Sequence, residues 1–316
     1  MTTQQHEDSR REERRKKDAE VAIEQRWREK LLESASAQEF GQAYDELHRE
    51  FLRQQSDSAE GDIYGDVNPR SGAEDRVRAV LLRVAGSGKR ILEVGTGDGL
   101  TAYLLARAGN VVTSIDVSEV ALAHARARYG GRNAGSAAGD GAVALDLTYD
   151  MGDARELTYP EGCFDLVVSE NVVEHLSLAD MGRHLDEVYR VLKPGGSYLL
   201  YTPSRLWSGR VSAGFHLHVY TLRELCALLR EVGLTPAWIE PRLLHRTGRL
   251  LPVSGLGLRA VMVYEALLQA GRVQRWPYGL KARVVPGVMV VARRSTRRCR
   301  ALKKVPGTLA ALGGCR

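Results

Sequence analysis

The stretch RILEVGTGDGLTAYLLARAGNVVTSIDVS, residues 90–118, decides the fold. Ile91, Leu92 and Val94 form an apolar run of strand character, interrupted only by Glu93. The run breaks into Gly95-Thr96-Gly97-Asp98-Gly99, whose glycines suit a tight turn. A helical stretch follows as far as Gly109, and a second apolar run, 111–115, closes on Asp116. Strand, glycine turn, helix, strand and terminal acid make a βαβ unit that holds a nucleotide-like cofactor.

Downstream the same alternation continues. Strands are expected at 143–150, 164–169, 196–202, 235–240 and 285–294, with helices at 118–129, 177–192 and 221–232. Ser118 reads as a helix N-cap, and Thr221 with Glu224 as a capping box. Lys193-Pro194-Gly195-Gly196 reads as a helix stop. Upstream, Ile23, Trp27 and Leu31 start an apolar stripe; Phe40, Tyr44, Leu47 and Phe51 form another, and a short helix covers 73–84. The expected architecture is α/β: a doubly wound, mostly parallel seven-stranded sheet with N-terminal helices and a partly helical insert before the last strand. The expected organisation is a charged helical extension over 1–60, a cofactor-binding domain over 61–293 and a basic tail over 294–316.

The loop separates two cofactor classes. A dinucleotide fingerprint places its third glycine where this chain has Leu100; here the glycine falls one position early, at Gly99. Glu93, just before the loop, would repel a pyrophosphate but balance a cationic ligand. S-adenosylmethionine carries an ammonium and a sulfonium and no phosphate, and Asp116 can accept both ribose hydroxyls. A nicotinamide dehydrogenase is therefore disfavoured.

ILEVGTGDG, SIDVS, GDARELTYPEGCFDLVVSENVVEHL and VLKPGG occur in that order, and together resemble the class I S-adenosylmethionine-dependent methyltransferases, in their type 11, ubiquinone-biosynthesis-like small-molecule branch. HLHVYTLRELCALLREVGL, 216–234, resembles that branch's segment after the fifth strand. The resemblance implies that Glu93, Gly95, Thr96, Gly97 and Gly99 line the methionine and ribose of S-adenosyl-L-methionine. It implies that Asp116 binds the ribose, that Val117 lies beside the adenine, and that Asp153 and Ala154 meet the adenine edge. Ser169, Glu170 and Asn171 would flank the sulfonium. The Gly/Ala-rich loop at 130–142 is longer than that branch usually has.

Methyl transfer to a hydroxyl needs the acceptor aligned and its proton removed. His175 follows the fourth strand, and His216 and His218 follow the fifth, so these three are the candidate catalytic residues. His216-x-His218 has no readable third ligand, so no metal is expected. The stretch aligned with the Asn/Asp-Pro-Pro-Tyr signature of amino-directed DNA enzymes is SENV, no Pro-Cys nucleophile occurs, and Ala179 stands where protein arginine enzymes would need an acid. The expected substrate is a small molecule, with oxygen favoured as the acceptor atom: a secondary metabolite, a sugar or a quinone-like ring. An RNA methyltransferase and a non-catalytic, cofactor-binding partner subunit are the alternatives.

The charge is unevenly placed. The net charge is +6, but residues 293–316 hold eight Arg or Lys and no acid, which leaves −2 for the rest. This disfavours DNA as a partner and makes RNA or a membrane surface a tail-borne alternative. The insert 243–286 mixes apolar and basic residues and reads as an amphipathic element that packs on the sheet or covers an apolar acceptor. The four cysteines are widely spaced, and the N-terminal residues lack the apolar stretch of a secretory signal. A cytoplasmic monomer or homodimer is expected.

Overall fold

The computed structural model describes residues 26–34, 36–57, 74–130, 145–208, 216–239, 251–252, 255–276 and 288–295. The expectations for Ile23, for most of the Gly/Ala-rich loop and for the tail beyond 295 fall outside these residues, as does much of the 243–286 insert.

A helix over 26–33 (α1) and α2, Ala37–Asp57, precede α3, Glu74–Ala85. The core then alternates: β1 Arg90–Val94, α4 Leu100–Arg107, β2 Val111–Asp116, α5 Glu119–Ala125, β3 Leu147–Met151, β4 Phe164–Glu170, α6 Leu178–Val191 and β5 Leu192–Thr202. It ends with α7 Arg205–Ser208, α8 Leu222–Glu231, β6 Leu234–Ile239, β7 Leu251–Pro252, α9 Gly255–Ala270 and β8 Val288–Arg294. Strand order is β3-β2-β1-β4-β5-β8-β6-β7. The first five strands pair in parallel, and β8 runs antiparallel between β5 and β6. The expected seven strands are present, and the two-residue β7 adds an eighth at the edge.

The apolar strands read as near-continuous runs because both faces are covered. On β1, Leu92 and Val94 enter one core with Met181, Leu185 and Val188 of α6 and with Leu225 and Leu229 of α8. Ile91 points the other way, into a second core with Leu81, Leu105 and Leu122. The Ser118 cap forms, its side chain accepting from Ala121 N, and so does the Thr221–Glu224 capping box. The helix expected to reach 129 widens into a π turn at Arg126–Gly130. Lys193-Pro194-Gly195-Gly196 stops α6 as expected. It also lies within β5, as the bulge that carries pairing from Phe164–Leu192 to Leu166–Ser197.

The chain winds outward in one direction from β1 to β3 and in the other from β4 to β5. The order therefore reverses between β1 and β4, and a crevice opens there at the strand carboxyl ends.

Candidate active site

At that crevice lies a cavity of about 330 Å³. Glu93, Gly95, Thr96, Gly97, Asp116, Val117, Asp153, Ala154, Glu170, Asn171 and His175 all line it, so eleven positions singled out in the sequence converge on one space.

The glycine loop is held by its own backbone. Gly95 N and Thr96 N both donate to Ile115 O, at 2.8 and 3.1 Å, which ties the turn after β1 to the end of β2. Gly95 has φ +84°, and a Cβ there would meet Val172 Cγ2 at 2.4 Å. A Cβ on Gly97 would meet nothing within 4 Å, which leaves that backbone open to a ligand. Gly99 does not line the cavity. It starts α4 at φ +81°, with Ala125 Cβ 2.6 Å from where its own Cβ would stand, and its carbonyl accepts from the Tyr149 hydroxyl. Its work is helix packing.

Acids dominate the walls. Glu93 is buried, and Ser114 Oγ donates to its Oε2 at 2.6 Å. Burial lifts its carboxyl well above the usual range, and the nearby Glu170, Asp98 and Asp116 push it further. Asp116 is raised by burial as well, against donation from the backbone N–H groups of Ser118 and Gly97. Glu170 Oε2 accepts from Thr101 Oγ1 at 3.0 Å. Asn171, at the end of β4, sits at φ +53°, a left-handed conformation that asparagine tolerates better than most residues. Asp153 is gripped by Arg155, whose Nε reaches both carboxylate oxygens and whose Nη2 donates at 2.7 Å. Arg155 also lies 4.5 Å over the Phe40 ring. A wall of converging carboxylates fits a ligand bearing an ammonium and a sulfonium and opposes a pyrophosphate.

Other expected residues lie deeper. Ser169 is buried and pairs with the Tyr198 hydroxyl at 2.6 Å, itself 2.9 Å from His184 Nε2; it supports the floor without lining the cavity. His175 lines the cavity, with the ring of Tyr44 edge-on at 6.0 Å and that of His216 at 5.0 Å. Burial drops the His216 imidazole to about 4. His218 turns away, its Nε2 3.1 Å from Arg205 Nη2.

Of the roof, the sequence offers only Tyr44 as a residue closing over the cofactor, with core packing as its favoured reading. Phe40, Tyr44, Leu47 and His48 of α2 line the cavity, as do Arg78 and Asp98. The helix is docked by Asp45, whose Oδ1 accepts from Ser118 Oγ at 2.7 Å and Val120 N at 3.1 Å. It also sits so close that a Cβ on Gly41 would stand 2.7 Å from Val117 O. The Phe40, Tyr44 and Leu47 stripe was visible in the sequence, but nothing in it distinguished a cavity roof from core packing. The insert meets the core through α9: Met262 packs against the first core, Leu268 joins Leu206 and Val273, and Val263 and Leu267 are exposed. Among the described residues no helix is long and apolar enough to cross a membrane.

Residues 92–200 match the family model described as a methyltransferase domain. A probable S-adenosylmethionine-dependent methyltransferase of Mycolicibacterium smegmatis is 34% identical over 151 residues, 46% of this chain and 52% of that protein. A ubiquinone biosynthesis O-methyltransferase of Coxiella burnetii is 26% identical over 151 residues, 46% of this chain and 54% of that protein. The chain thus spans about half the length of the curated relatives it matches. Among solved structures, the [4+2]-cyclase SpnF shares the fold with a TM-score of 0.55 at 23% identity, over 83% of this chain and 98% of its own. Residues 92–200, which hold the glycine loop and most of the acid-lined crevice, are thus similar to S-adenosylmethionine-dependent methyltransferases.

Proposed function

We propose that this chain transfers a methyl group from S-adenosylmethionine to an oxygen of a small-molecule acceptor. The observation that carries the reading is the convergence of Glu93, Gly97, Asp116 and Glu170 on one cavity at the sheet's reversal point. When bound, the cofactor supplies a methyl carbon on a cationic sulfur with a neutral leaving group. Glu170 balances its positive charge, which in turn favours the anion of Glu93; the open Gly97 backbone lets it approach, and Asp116 accepts from its ribose. Asp153, Ala154 and Val117 bound the adenine end. Asn171 and His175 stand at the acceptor end, where His175, or His216 behind it, takes the acceptor's proton. Burial keeps the His216 imidazole neutral at pH 7, the form able to accept one.

Calorimetric titration with S-adenosylhomocysteine, with NAD in parallel, tests the cofactor assignment; binding of the first alone is expected. Incubation with methyl-labelled S-adenosylmethionine and a panel of hydroxylated small molecules tests the reaction. The fold is shared with the [4+2]-cyclase SpnF, so transfer of label, rather than cofactor binding, is the deciding readout. Binding of NAD alone would return the dehydrogenase reading. Cofactor binding without label transfer to any acceptor would favour the non-catalytic partner subunit.

A further inference from the structure

Glu174, His175 and His216 place one ligand atom each within 4.8 Å of one another. The turn Val173–His175 and the segment after β5 are held together by one carbonyl: Glu174 O accepts from Leu217 N at 2.7 Å and from His218 N at 3.1 Å. This backbone junction brings His216 to a pair of residues about forty positions earlier. The Glu174 carboxylate is fully buried, and its two oxygens differ. Oε2 accepts from Thr202 Oγ1 at 2.9 Å, which fixes the group, while Oε1 has no hydrogen-bond partner among the described residues. A buried carboxylate oxygen without a donor is costly. A cation beside it would remove that cost.

We propose that Glu174, His175 and His216 form a divalent transition-metal site at the acceptor end of the cavity. Two imidazoles and one carboxylate suit Zn²⁺, Co²⁺, Mn²⁺ or Fe²⁺ better than Mg²⁺ or Ca²⁺, which prefer oxygen ligands throughout. Ligand–metal distances of about 2.1 Å require donor atoms about 3.3 Å apart, so side-chain rotations of an ångström or so complete the site. Thr202 supplies the outer hydrogen bond that orients the carboxylate. Three protein ligands leave a position open, and His175 lines the cavity, so that position is available to an acceptor oxygen.

This placement at the acceptor end rests on the methyl-transfer reading. A coordinated hydroxyl ionises more readily. Its proton passes to water, the acceptor oxygen bonds to the methyl carbon, and the carbon–sulfur bond breaks to leave a neutral thioether. His175 and His216 then hold the cation in place of serving as bases.

The test uses the full chain after chelator treatment and dialysis, titrated with Co²⁺ and followed by visible absorption, with Zn²⁺ as competitor. One Co²⁺ per chain is expected, with ligand-field bands that Zn²⁺ abolishes. Glu174→Gln and His216→Ala are each expected to weaken Co²⁺ at least tenfold, whereas His218→Gln, outside the triad, retains it. S-adenosylhomocysteine titration of the same samples checks the fold of each variant and tests the cofactor reading separately. Cofactor binding without Co²⁺ bands, or bands that survive both triad substitutions, overturns the metal site alone.

Discussion

Asp116 Oδ2 accepts the backbone N–H of Gly97 at 3.2 Å, while its Oδ1 accepts that of Ser118 at 2.9 Å. One carboxylate thus joins the glycine loop after β1 to the start of α5. The remaining lone pairs of this carboxylate are available to a ribose. Asp116→Ala is expected to weaken S-adenosylhomocysteine binding more than tenfold, read by calorimetry. An unchanged affinity would remove the ribose assignment.

Gly95 is constrained twice, by its positive φ and by Val172. A left-handed Ala costs about 1 kcal/mol, and forcing a methyl against Val172 adds about 1–3 kcal/mol. Gly95→Ala is therefore expected to lower urea-unfolding stability by about 3 kcal/mol, and Val172→Ala in the same chain to recover the steric part. Strict additivity of the two substitutions would show that the contact at 2.4 Å is relieved in some other way.

What the sequence revealed followed from sequence distance. Glu93 to Gly99 and Asp116 lie within one βαβ unit, where strand, turn and acid are fixed relative to one another by local geometry. The crossover from β3 to β4 likewise brought Asp153 and Glu170 to the crevice. Gly99 and Ser169 were legible as positions but not as jobs. A glycine that permits close helix packing and one that admits a ligand look the same in the sequence, and Ser169 faces Tyr198 because of the strand's side-chain alternation. The α2 roof could not be told from core packing, and the Glu174–His175–His216 group was illegible, because each depends on a long-range junction. Asp45 on Ser118 makes the first, and the Glu174 carbonyl on Leu217 and His218 makes the second.

Tyr44 carries its hydroxyl into the cavity wall, buried and with no hydrogen-bond partner among the described residues. Burial, with Asp116 and Glu174 nearby, raises its pKa, so it is a neutral donor in need of an acceptor. If a bound ligand supplies that acceptor, Tyr44→Phe stabilises the ligand-free chain by about 1 kcal/mol. The same substitution then weakens S-adenosylhomocysteine roughly tenfold, since a tenfold change corresponds to about 1.4 kcal/mol. Thermal unfolding with and without ligand reads both effects. A variant that binds as tightly as the parent would make Tyr44 a packing residue only.

His175 is the cavity-lining member of the histidine group. On the proposed methyl-transfer reading it acts on the acceptor as base or as ligand, and His175→Ala is then expected to lower turnover at least 100-fold while changing S-adenosylhomocysteine affinity less than threefold. Dependence of the parent's turnover on added Zn²⁺ or Co²⁺ separates the two roles. Undiminished turnover in the variant would leave the ring a steric part of the cleft.

The insert is joined to the domain by a carboxyl at a helix start. Glu265 of α9 is buried and accepts from Leu222 N at 3.2 Å, at the first turn of α8. Burial pushes it up to about 7, against the Leu222 and Arg223 N–H groups that favour the anion. Unfolded, a glutamate titrates near 4.3. Between those two values the folded chain holds a proton that the unfolded chain has lost, so stability falls as pH rises through this window and levels off above about 7. The contribution is fully present below about pH 4.3, and its loss amounts to something on the order of 3 kcal/mol by pH 8. Glu265→Gln keeps the shape and the acceptor oxygen but cannot ionise. Urea unfolding from pH 5 to 8 should therefore show the variant gaining on the parent across that range, with the steepest change between pH 5 and 7. A difference that stays constant with pH would mean that Glu265 is already ionised at pH 5, held as an anion by the start of α8.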